Sequence, residues 1–374
     1  MKYYIIAGEA SGDLHGSNLI KELRKEDPAA DVRCWGGDLM EAAGGRVVKH
    51  YRDLAFMGFA EVLLNLRTIL RNMKFCKEDI LAYRPNVVVL VDYPGFNLRI
   101  AEWAKEQGFK VVYYISPTVW AWKESRIKTI RRVVDKMLVI LPFEAPFYEQ
   151  RDYKVEYVGH PLVQVVNEFL ATHPTPPVPE KGLVALLPGS RKQEIEKKLP
   201  IMLQATKAFP HLQFVVARAS SLDDAYYAPF MQGYTNVSSV HNETYALLAR
   251  ASAALVTSGT ATLETALFGV PQVVCYKASP ITFAIAKRLV NIKYISLVNL
   301  IMDKPVVTEL IQDDLSVPNL VKELKELTEN EERVARMHGD YDALRHLLQQ
   351  GGNASAKAAK TIVEFLKASS VQSV

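Results

Sequence analysis

Residues 256–271 read VTSGTATLETALFGVP, and the rest of the chain is organised around this stretch. A buried strand ends at its first residue, small residues form a turn, and Leu263 and Leu267 then share one face of a helix. Gly269 and Pro271 stand where a helix is expected to stop. The stretch therefore predicts a strand, a tight turn and a helix, which is the repeating unit of a parallel α/β sheet.

The turn within this stretch suits an anionic ligand. Ser258, Gly259 and Thr260 have little bulk, so a ligand can approach their backbone closely. The first N–H groups of a helix lack internal partners and carry partial positive charge, which favours a phosphate. Glu264 follows one turn later, where a carboxylate can bind a sugar diol. In the alternative interpretation the serine and threonine only cap the helix, and the stretch alone does not decide between the two.

Length and composition limit the class of protein. The chain has 374 residues, which favours two domains, and its 49% hydrophobic and 23% charged residues are typical of a globular protein. A net charge of +4 is too small to indicate a nucleic-acid partner. The separated cysteines, the missing P-loop and the missing DxD pair predict no metal and no cofactor. No apolar run reaches the roughly 20 residues of a spanning helix, so a membrane role would be peripheral.

Strands and helices alternate through the first half of the chain. Several candidate strands are continuous apolar runs, as expected when both faces of a sheet are covered. The pattern predicts a parallel, doubly wound, Rossmann-like domain in which ligands bind beyond the carboxyl ends of the strands. The candidate strands are residues 3–7, 32–35, 47–49, 87–91, 111–115, 137–140 and 155–158.

Two loops that follow strands carry carboxylates. Glu9, Ser11 and Asp13 lie after the first strand and offer more polar chemistry than a turn requires, although Asp13 could merely cap the next helix. Asp92 directly follows the fourth strand. Partial burial there would raise its pKa and make it a general base, whereas the alternative is an Asx turn that precedes Pro94.

A loop with two tryptophans, SPTVWAW at residues 116–122, follows the fifth strand. Trp120 and Trp122 are costly to expose, so they either pack on the domain interior or wall a ligand cleft. After the last strand of this half, His160 either contacts an anionic ligand or caps the strand at a hinge.

The segment 56–74 is more apolar than one helical face requires, and it also carries a line of basic residues. One interpretation is a long core helix with a solvated stripe. The other is a helix that lies in a membrane interface. In that case the contacts come from Phe59, Leu63, Leu66, Arg67 and Arg71.

Residues 171–181 form a proline-rich linker, with four prolines among residues 174–179. A second alternating pattern follows, in which a buried strand leads into the turn Gly189-Ser190-Arg191. Arg191 can reach a phosphate with the several N–H donors of its guanidinium. In the alternative, Arg191 is simply solvated. The predicted domains are 1–170 and 182–350, followed by a C-terminal helix, 351–374, for which a return to the first domain is one alternative.

The two halves divide the chemistry of a transfer reaction. The first supplies acidic groups and the second supplies phosphate-binding turns, across an expected cleft between facing strand ends. This division fits glycosyl transfer from a nucleotide sugar, in which a base deprotonates the acceptor and the leaving diphosphate is stabilised electrostatically. The alternatives are another enzyme of the same architecture, such as a UDP-N-acetylglucosamine 2-epimerase, and a non-enzymatic two-domain binding protein.

Eight motifs in order resemble those of the lipid-A-disaccharide synthase family, from the first strand to about Gln312. They are GEASGD at 8–13, FMGFAEVL at 56–63, DYPGFN at 92–97, SPTVWAW at 116–122, LPFE at 141–144, VGHP at 158–161, LPGSR at 187–191 and SGTATLE at 258–264.

The resemblance implies an inverting glycosyltransferase of the GT-B fold, with two Rossmann-like domains. Its substrates would be UDP-2,3-diacylglucosamine and 2,3-diacylglucosamine 1-phosphate (lipid X), and its products a β(1→6) disaccharide phosphate and UDP. It would work in the cytoplasm on the inner face of the inner membrane, in contact with inner-leaflet lipids. The oligomeric state stays open, a homodimer being one alternative.

The resemblance also implies roles for individual residues. Asp92 matches the proposed base, and we assign to the acceptor side or cleft Glu9, Ser11, Asp13, Asn97 and Trp120. The nucleotide side comprises Gly189, Ser190, Arg191, Ser258, Gly259, Thr260, Glu264, Asn299, Glu309 and Gln312. The chain departs from the family pattern at Val298 and Thr308, where proline is usual, so the roles of Asn299 and Glu309 stay open.

Overall fold

Two parallel sheets organise the part of the chain that the computed structural model describes, residues 1–54, 66–173, 179–219, 222–290 and 292–371. One sheet belongs to a unit formed by Met1–Pro161 with Gln349–Val374, and the other to a unit formed by Leu162–Leu348.

Within the described residues, the first sheet has seven strands in the order β3-β2-β1-β4-β5-β6-β7. Each predicted strand is present, and its ends move by no more than one residue, because a continuous apolar run marks a strand covered on both faces. Every residue of the fourth strand is fully buried. The strands are β1 Lys2–Ala7, β2 Asp31–Gly36, β3 Arg46–His50, β4 Val87–Val91, β5 Val111–Tyr114, β6 Lys136–Val139 and β7 Glu156–Tyr157.

The second sheet repeats the same winding, with its described strands in the order β10-β9-β8-β11-β12-β13. In both sheets the first strand of the unit lies next to the fourth, which is the point where the strand order reverses. The strands are β8 Glu180–Leu187, β9 Gln213–Arg218, β10 Val237–His241, β11 Ala251–Thr257, β12 Gln272–Tyr276 and β13 Thr308–Ile311.

Helices connect these strands and cover the faces of the sheets. In chain order the described helices are α1 Ala10–Glu26, α2 Asp38–Ala42, α3 Leu66–Tyr83, α4 Pro94–Glu106, α5 Arg126–Val133, α6 Glu144–Glu149, α7 Pro161–Thr172, α8 Lys192–Thr206, α9 Asp224–Met231, α10 Thr244–Leu248, α11 Thr260–Leu267, α12 Pro280–Leu289, α13 Leu297–Met302, α14 Val317–Glu329, α15 Glu331–Gln349 and α16 Ala354–Val371. None of them is long and apolar enough to span a membrane.

The last helix, α16, packs with the first unit. The Lys357 ammonium donates to the Tyr157 carbonyl at 2.7 Å, and the Thr361 hydroxyl donates to Glu156 at 2.9 Å, so the helix is fixed to the short strand β7. The division between the units places most of α7 with the second one. The predicted domain limits stay predictions, and residues 174–178 of the linker lie outside the described residues.

Two of the membrane contacts predicted from the sequence, Phe59 and Leu63, lie outside the described residues, as does the side chain of Leu66. Arg67 and Arg71 lie on α3 and are exposed.

Candidate active site

The candidate site of the first unit lies where β1 and β4 run side by side. Ala7 pairs with Val91 in the sheet register, so the loops that follow these strands begin next to each other. The ring of Tyr93 lies against the backbone of Gly8, where a Cβ atom would be only 2.4 Å from it. The absence of a side chain at Gly8 therefore allows the two loops to make contact.

Asp92 has a left-handed backbone conformation with a φ angle of 44° at the end of β4. Its carbonyl oxygen accepts hydrogen bonds from the Tyr113 hydroxyl at 2.6 Å and from the Asn97 amide at 2.8 Å. Burial, with a smaller contribution from the Glu9 carboxylate, raises the pKa of Asp92 to about 6. The side chain is thus largely ionised at neutral pH and still basic enough to accept a proton from a hydroxyl group.

Asn97 is fully buried and joins the two strands. Its amide nitrogen lies 3.4 Å from the Ile6 carbonyl and 3.3 Å from the Val91 carbonyl, in addition to its bond with Asp92. Its carbonyl oxygen has no hydrogen-bond partner within the described ranges. These contacts orient the end of β4 and with it the Asp92 side chain.

The loop after β1 excludes one of the two interpretations of Asp13. Helix α1 begins at Ala10 with Glu9 in the N-cap position, so the alternative in which Asp13 caps this helix is wrong. The buried Asp13 carboxylate instead accepts backbone N–H groups at the start of α2, from Gly37 at 2.7 Å, Met40 at 3.1 Å and Leu39 at 3.2 Å. Ser11 is exposed, and Glu9 is partly buried near Asp92.

Trp120 packs edge-on against Phe143, with ring centroids 5.0 Å apart, and lies beside the buried Glu144. Burial raises the pKa of Glu144 to about 7, although the backbone N–H groups of Leu141 and Ile140 stabilise its charged form. Sequence reasoning did not select Glu144 as a site residue, although it ends the LPFE motif after β6. The geometry favours the prediction that this tryptophan packs on the domain interior.

For His160 the sequence left two alternatives open, an anion contact and a cap of the strand at a hinge. The side chain is buried, and burial, together with the nearby His15, lowers the pKa of His160 to about 3. A neutral imidazole offers no charge to an anion, so this environment favours the alternative in which His160 completes the end of the strand.

The candidate site of the second unit has the same position in its own sheet. Val256 of β11 pairs with Leu187 of β8, so the two predicted phosphate turns begin side by side. Gly189 and Gly259 have φ angles of +119° and +133°, which only glycine adopts readily. A Cβ atom at Gly259 would meet nothing within 4 Å, so this turn is open to a ligand.

Helix α11 begins at this turn without a side-chain cap among the described residues, and Gly259 occupies the N-cap position. The Ser258 hydroxyl donates to the Ile295 carbonyl at 2.9 Å instead, and Thr260 is exposed. The alternative in which the serine and threonine only cap the helix is therefore wrong. No described side chain occupies the backbone N–H groups at the start of α11, which suits an anion, although the Thr262 N–H already donates to the Gly259 carbonyl at 3.1 Å.

Arg191 holds the corresponding N-cap position of α8. Its guanidinium is about half exposed, and it lies 3.6 Å from the Glu194 carboxylate. Ser190 is exposed as well, so the polar groups of this turn face solvent.

Asn299 and Glu309 bind each other within the second unit. The Asn299 amide donates to Glu309 at 2.9 Å and exchanges two further 2.9 Å hydrogen bonds with the backbone of Val307. The Glu309 carboxylate also accepts the N–H groups of Ser296 at 2.9 Å and Ile295 at 3.0 Å. Because Ile295 contacts Ser258, this network fixes the segment that supports the phosphate turn.

The last two residues predicted for the nucleotide side also have partners within the unit. Glu264 accepts a 2.7 Å hydrogen bond from the Tyr245 hydroxyl, and burial raises its pKa. Gln312 accepts the Ala278 N–H at 2.6 Å through its side-chain oxygen.

Known proteins resemble this chain in sequence and in fold. A family model described as lipid-A-disaccharide synthetase matches residues 3–363. The lipid-A-disaccharide synthase of Geobacter metallireducens is 38% identical over 371 residues, which cover 97% of this chain and 96% of that protein. The enzyme of the same name from Coxiella burnetii is 39% identical over 366 residues, which cover 96% of each chain.

Solved structures with low sequence identity share the fold. The glycotransferase of kitacinnamycin has a TM-score of 0.68 at 14% identity and matches over 98% of this chain and 99% of its own. The UDP-GlcNAc 2-epimerase from Neisseria meningitidis has a TM-score of 0.65 at 14% identity, with the same coverage. The chain has the GT-B fold and belongs to the lipid-A-disaccharide synthetase family, the inverting glycosyltransferases of lipid A biosynthesis.

Proposed function

We propose that the protein transfers a diacylglucosamine unit from UDP-2,3-diacylglucosamine to 2,3-diacylglucosamine 1-phosphate. The observation that carries the proposal is the Asp92 carboxyl at the reversal point of the first sheet, whose pKa is raised to about 6. Asp92 accepts the proton of the acceptor 6-hydroxyl, and the hydroxyl oxygen attacks the anomeric carbon of the donor. The bond from that carbon to the diphosphate breaks, and UDP leaves with its electron pair.

The second unit then holds the donor nucleotide. The N–H groups of the turn 258–260 and the Arg191 guanidinium bind the diphosphate, because both present donors to solvent at the same sheet edge. Glu264 contacts the ribose, with Tyr245 orienting its carboxylate. Asn299 and Glu309 do not contact the nucleotide directly but support the turn, since Glu309 binds the backbone of Ser296 and Asn299 holds Glu309. Gln312 orients the neighbouring segment through the Ala278 N–H.

Acylated substrates reside in a membrane, so the protein works at the cytoplasmic face of the inner membrane. Helix α3 supports this part of the proposal, because Leu70 is 56% exposed and Phe75 is 41% exposed beside Arg71. Apolar side chains next to cations suit the boundary between acyl chains and anionic headgroups. The predicted contacts Phe59 and Leu63 extend the same segment towards the N-terminus.

A 2-epimerase function is not favoured. The 2-epimerase from Neisseria meningitidis shares the fold at 14% identity, whereas the relatives at 38–39% identity are named lipid-A-disaccharide synthase. A non-enzymatic binding protein would have little need for a carboxyl with a raised pKa at the strand end.

The test is a direct assay of the purified protein with both lipid substrates, in which the disaccharide phosphate is detected by mass. We expect product from the wild type, and turnover at least about a thousandfold lower from Asp92→Asn with UDP affinity retained. Asp152→Asn is the matched control, because Asp152 also has a left-handed backbone, with a φ angle of 53°, and is exposed. Equal turnover of Asp92→Asn and the control would remove Asp92 as the base.

A further inference from the structure

A buried lysine lies between the two phosphate turns of the second unit. Lys198, on α8, is only 2% exposed, although lysine is among the residues least often buried. Its ammonium donates a hydrogen bond to the hydroxyl of Thr257, the last residue of β11. Thr257 directly precedes Ser258, so Lys198 connects the helix that Arg191 caps with the strand that leads into the other turn.

The charges around Lys198 do not balance. Within the described part of the chain its ion pair is with Glu194, at 3.9 Å, which is longer than a hydrogen bond. The same carboxylate lies 3.6 Å from Arg191, so one anion is shared by two cations. A buried ammonium usually has well-placed partners for its three N–H donors, because its desolvation is costly. The cluster therefore has one positive charge in excess, and this charge lies at the ligand edge of the sheet.

The position of Glu194 shows how the lysine can influence the turn. A Cβ atom at Gly189 would lie 2.3 Å from the Glu194 carboxylate, so this side chain packs directly on the first phosphate turn. Without Lys198, the Glu194 carboxylate would compete with a bound diphosphate for the Arg191 guanidinium. Lys198 attracts the same carboxylate from the buried side and opposes that competition.

Burial lowers the pKa of Lys198, whereas Glu194 acts in the opposite direction. A lowered pKa is expected of a buried ammonium that lacks a full set of hydrogen-bond partners. An anion bound at the turns would supply the missing negative charge.

We propose that Lys198 is a positioning residue for the donor diphosphate, sharing the Glu194 carboxylate with Arg191 and adding positive potential behind both turns. The inference rests on the proposed function, because the proposed function assigns the diphosphate of UDP to this edge of the sheet. The uridine, which carries no charge, does not depend on the lysine.

The experiment compares the binding of UDP and of uridine to the full chain by calorimetry. For Lys198→Met we expect about tenfold weaker UDP binding and an unchanged uridine affinity. We also expect the thermal midpoint without ligand to be no lower than that of the wild type, because methionine fills the same volume without a buried charge. Lys197→Met is the matched control, since it removes the same charge from the preceding residue of α8.

The outcomes separate the inference from the function on which it rests. A wild type that binds no UDP overturns both. A wild type that binds UDP with the same affinity as Lys198→Met overturns the inference alone, as does an equal loss of UDP and uridine binding, which indicates a structural role. If Lys198→Met does not fold, Thr257→Val provides the test, because it removes the hydroxyl that holds the ammonium and should also weaken UDP binding selectively.

Discussion

Three aspartates in the first unit have three different environments, and only one of them suits catalysis. Asp13 accepts three backbone N–H groups, and Asp79 accepts hydrogen bonds from Arg33 and Tyr4. Asp92 has the nearby carboxylate of Glu9 instead of a cation, and the N–H of its neighbour Tyr93 stabilises its charged form only in part. A carboxylate whose oxygens are already occupied cannot accept a proton readily, so of these three aspartates Asp92 fits the proposed base best.

This environment predicts the pH dependence of the enzyme. A general base is active when ionised, so kcat/KM should fall as the pH drops through about 6, the pKa of Asp92. Burial is the main cause of the raised pKa, and Glu9→Gln removes the negative charge that adds to it, so the acidic limb should move to lower pH. Profiles of kcat/KM against pH measure this shift. Glu26→Gln is the control, because it makes the same charge change at the other end of α1. An acidic limb at the same pH in all three proteins would contradict the assignment.

The sequence predicts site residues that directly follow buried strands. Asp92 and Arg191 are candidates of this kind, because the end of an apolar run locates the edge of the sheet. Lys198 cannot be predicted in this way, since it lies two turns into a helix and its hydrogen-bond partner Thr257 is 59 positions away in the chain. Glu144 is missed for a similar reason, because its raised pKa comes from burial, which no local pattern indicates.

At the scale of elements, strands are easier to predict than helix ends. The strand that opens the first sheet is an apolar run, whereas the start of α1 is formed by Ala10, Ser11 and Gly12, which carry no helical pattern. Contacts between backbones far apart in sequence are harder still. The return of the chain to the first unit depends on the approach of Gly351 to Gly159, which no local pattern indicates.

That approach gives a prediction about stability. A Cβ atom at Gly351 would lie 2.2 Å from the Cα of Gly159, and backbone cannot move aside as a flexible side chain can. We expect Gly351→Ala to destabilise the first unit by about 1–3 kcal/mol and to increase hydrogen exchange in α16. Denaturant unfolding and exchange mass spectrometry measure the two effects.

Gly339→Ala is the matched control for this substitution. Gly339 lies inside α15, and a Cβ atom there would meet nothing within 4 Å. Alanine has the higher helix propensity, so this variant should gain up to about 1 kcal/mol. Equal stability of the two variants would show that the contact between Gly351 and Gly159 does not hold the last helix in place.

At the scale of the molecule, both units have the same strand order around their first and fourth strands, but the loops there differ in chemistry. Each unit places the loops of its first and fourth strands side by side, yet one pair of loops carries the carboxylates of Glu9 and Asp92 and the other carries Arg191 and open N–H groups. The alternation of apolar runs predicts the winding. The residues that follow the strands predict the chemistry, whereas the acyl-chain preference depends on side chains that no local pattern identifies.

The membrane part of the proposed function gives the last prediction. Arg67, Arg71 and Lys74 are exposed on α3, and each basic residue near an anionic membrane contributes about 1 kcal/mol to binding. Replacing all three with Gln should therefore weaken partition onto phosphatidylglycerol vesicles by about 100-fold at low salt, and 0.5 M salt in the buffer should remove most of the difference. Sedimentation with the vesicles measures the bound fraction.

A charge-matched control separates a local contact from a general loss of positive charge. Lys322, Lys325 and Arg336 are exposed on the second unit, so their replacement with Gln lowers the net charge by the same amount. This variant should bind the vesicles nearly as the wild type does, because its charges are not part of the apolar and basic surface of α3. If both triple variants lose the same fraction of binding, the interaction follows net charge alone, and α3 is not the membrane contact.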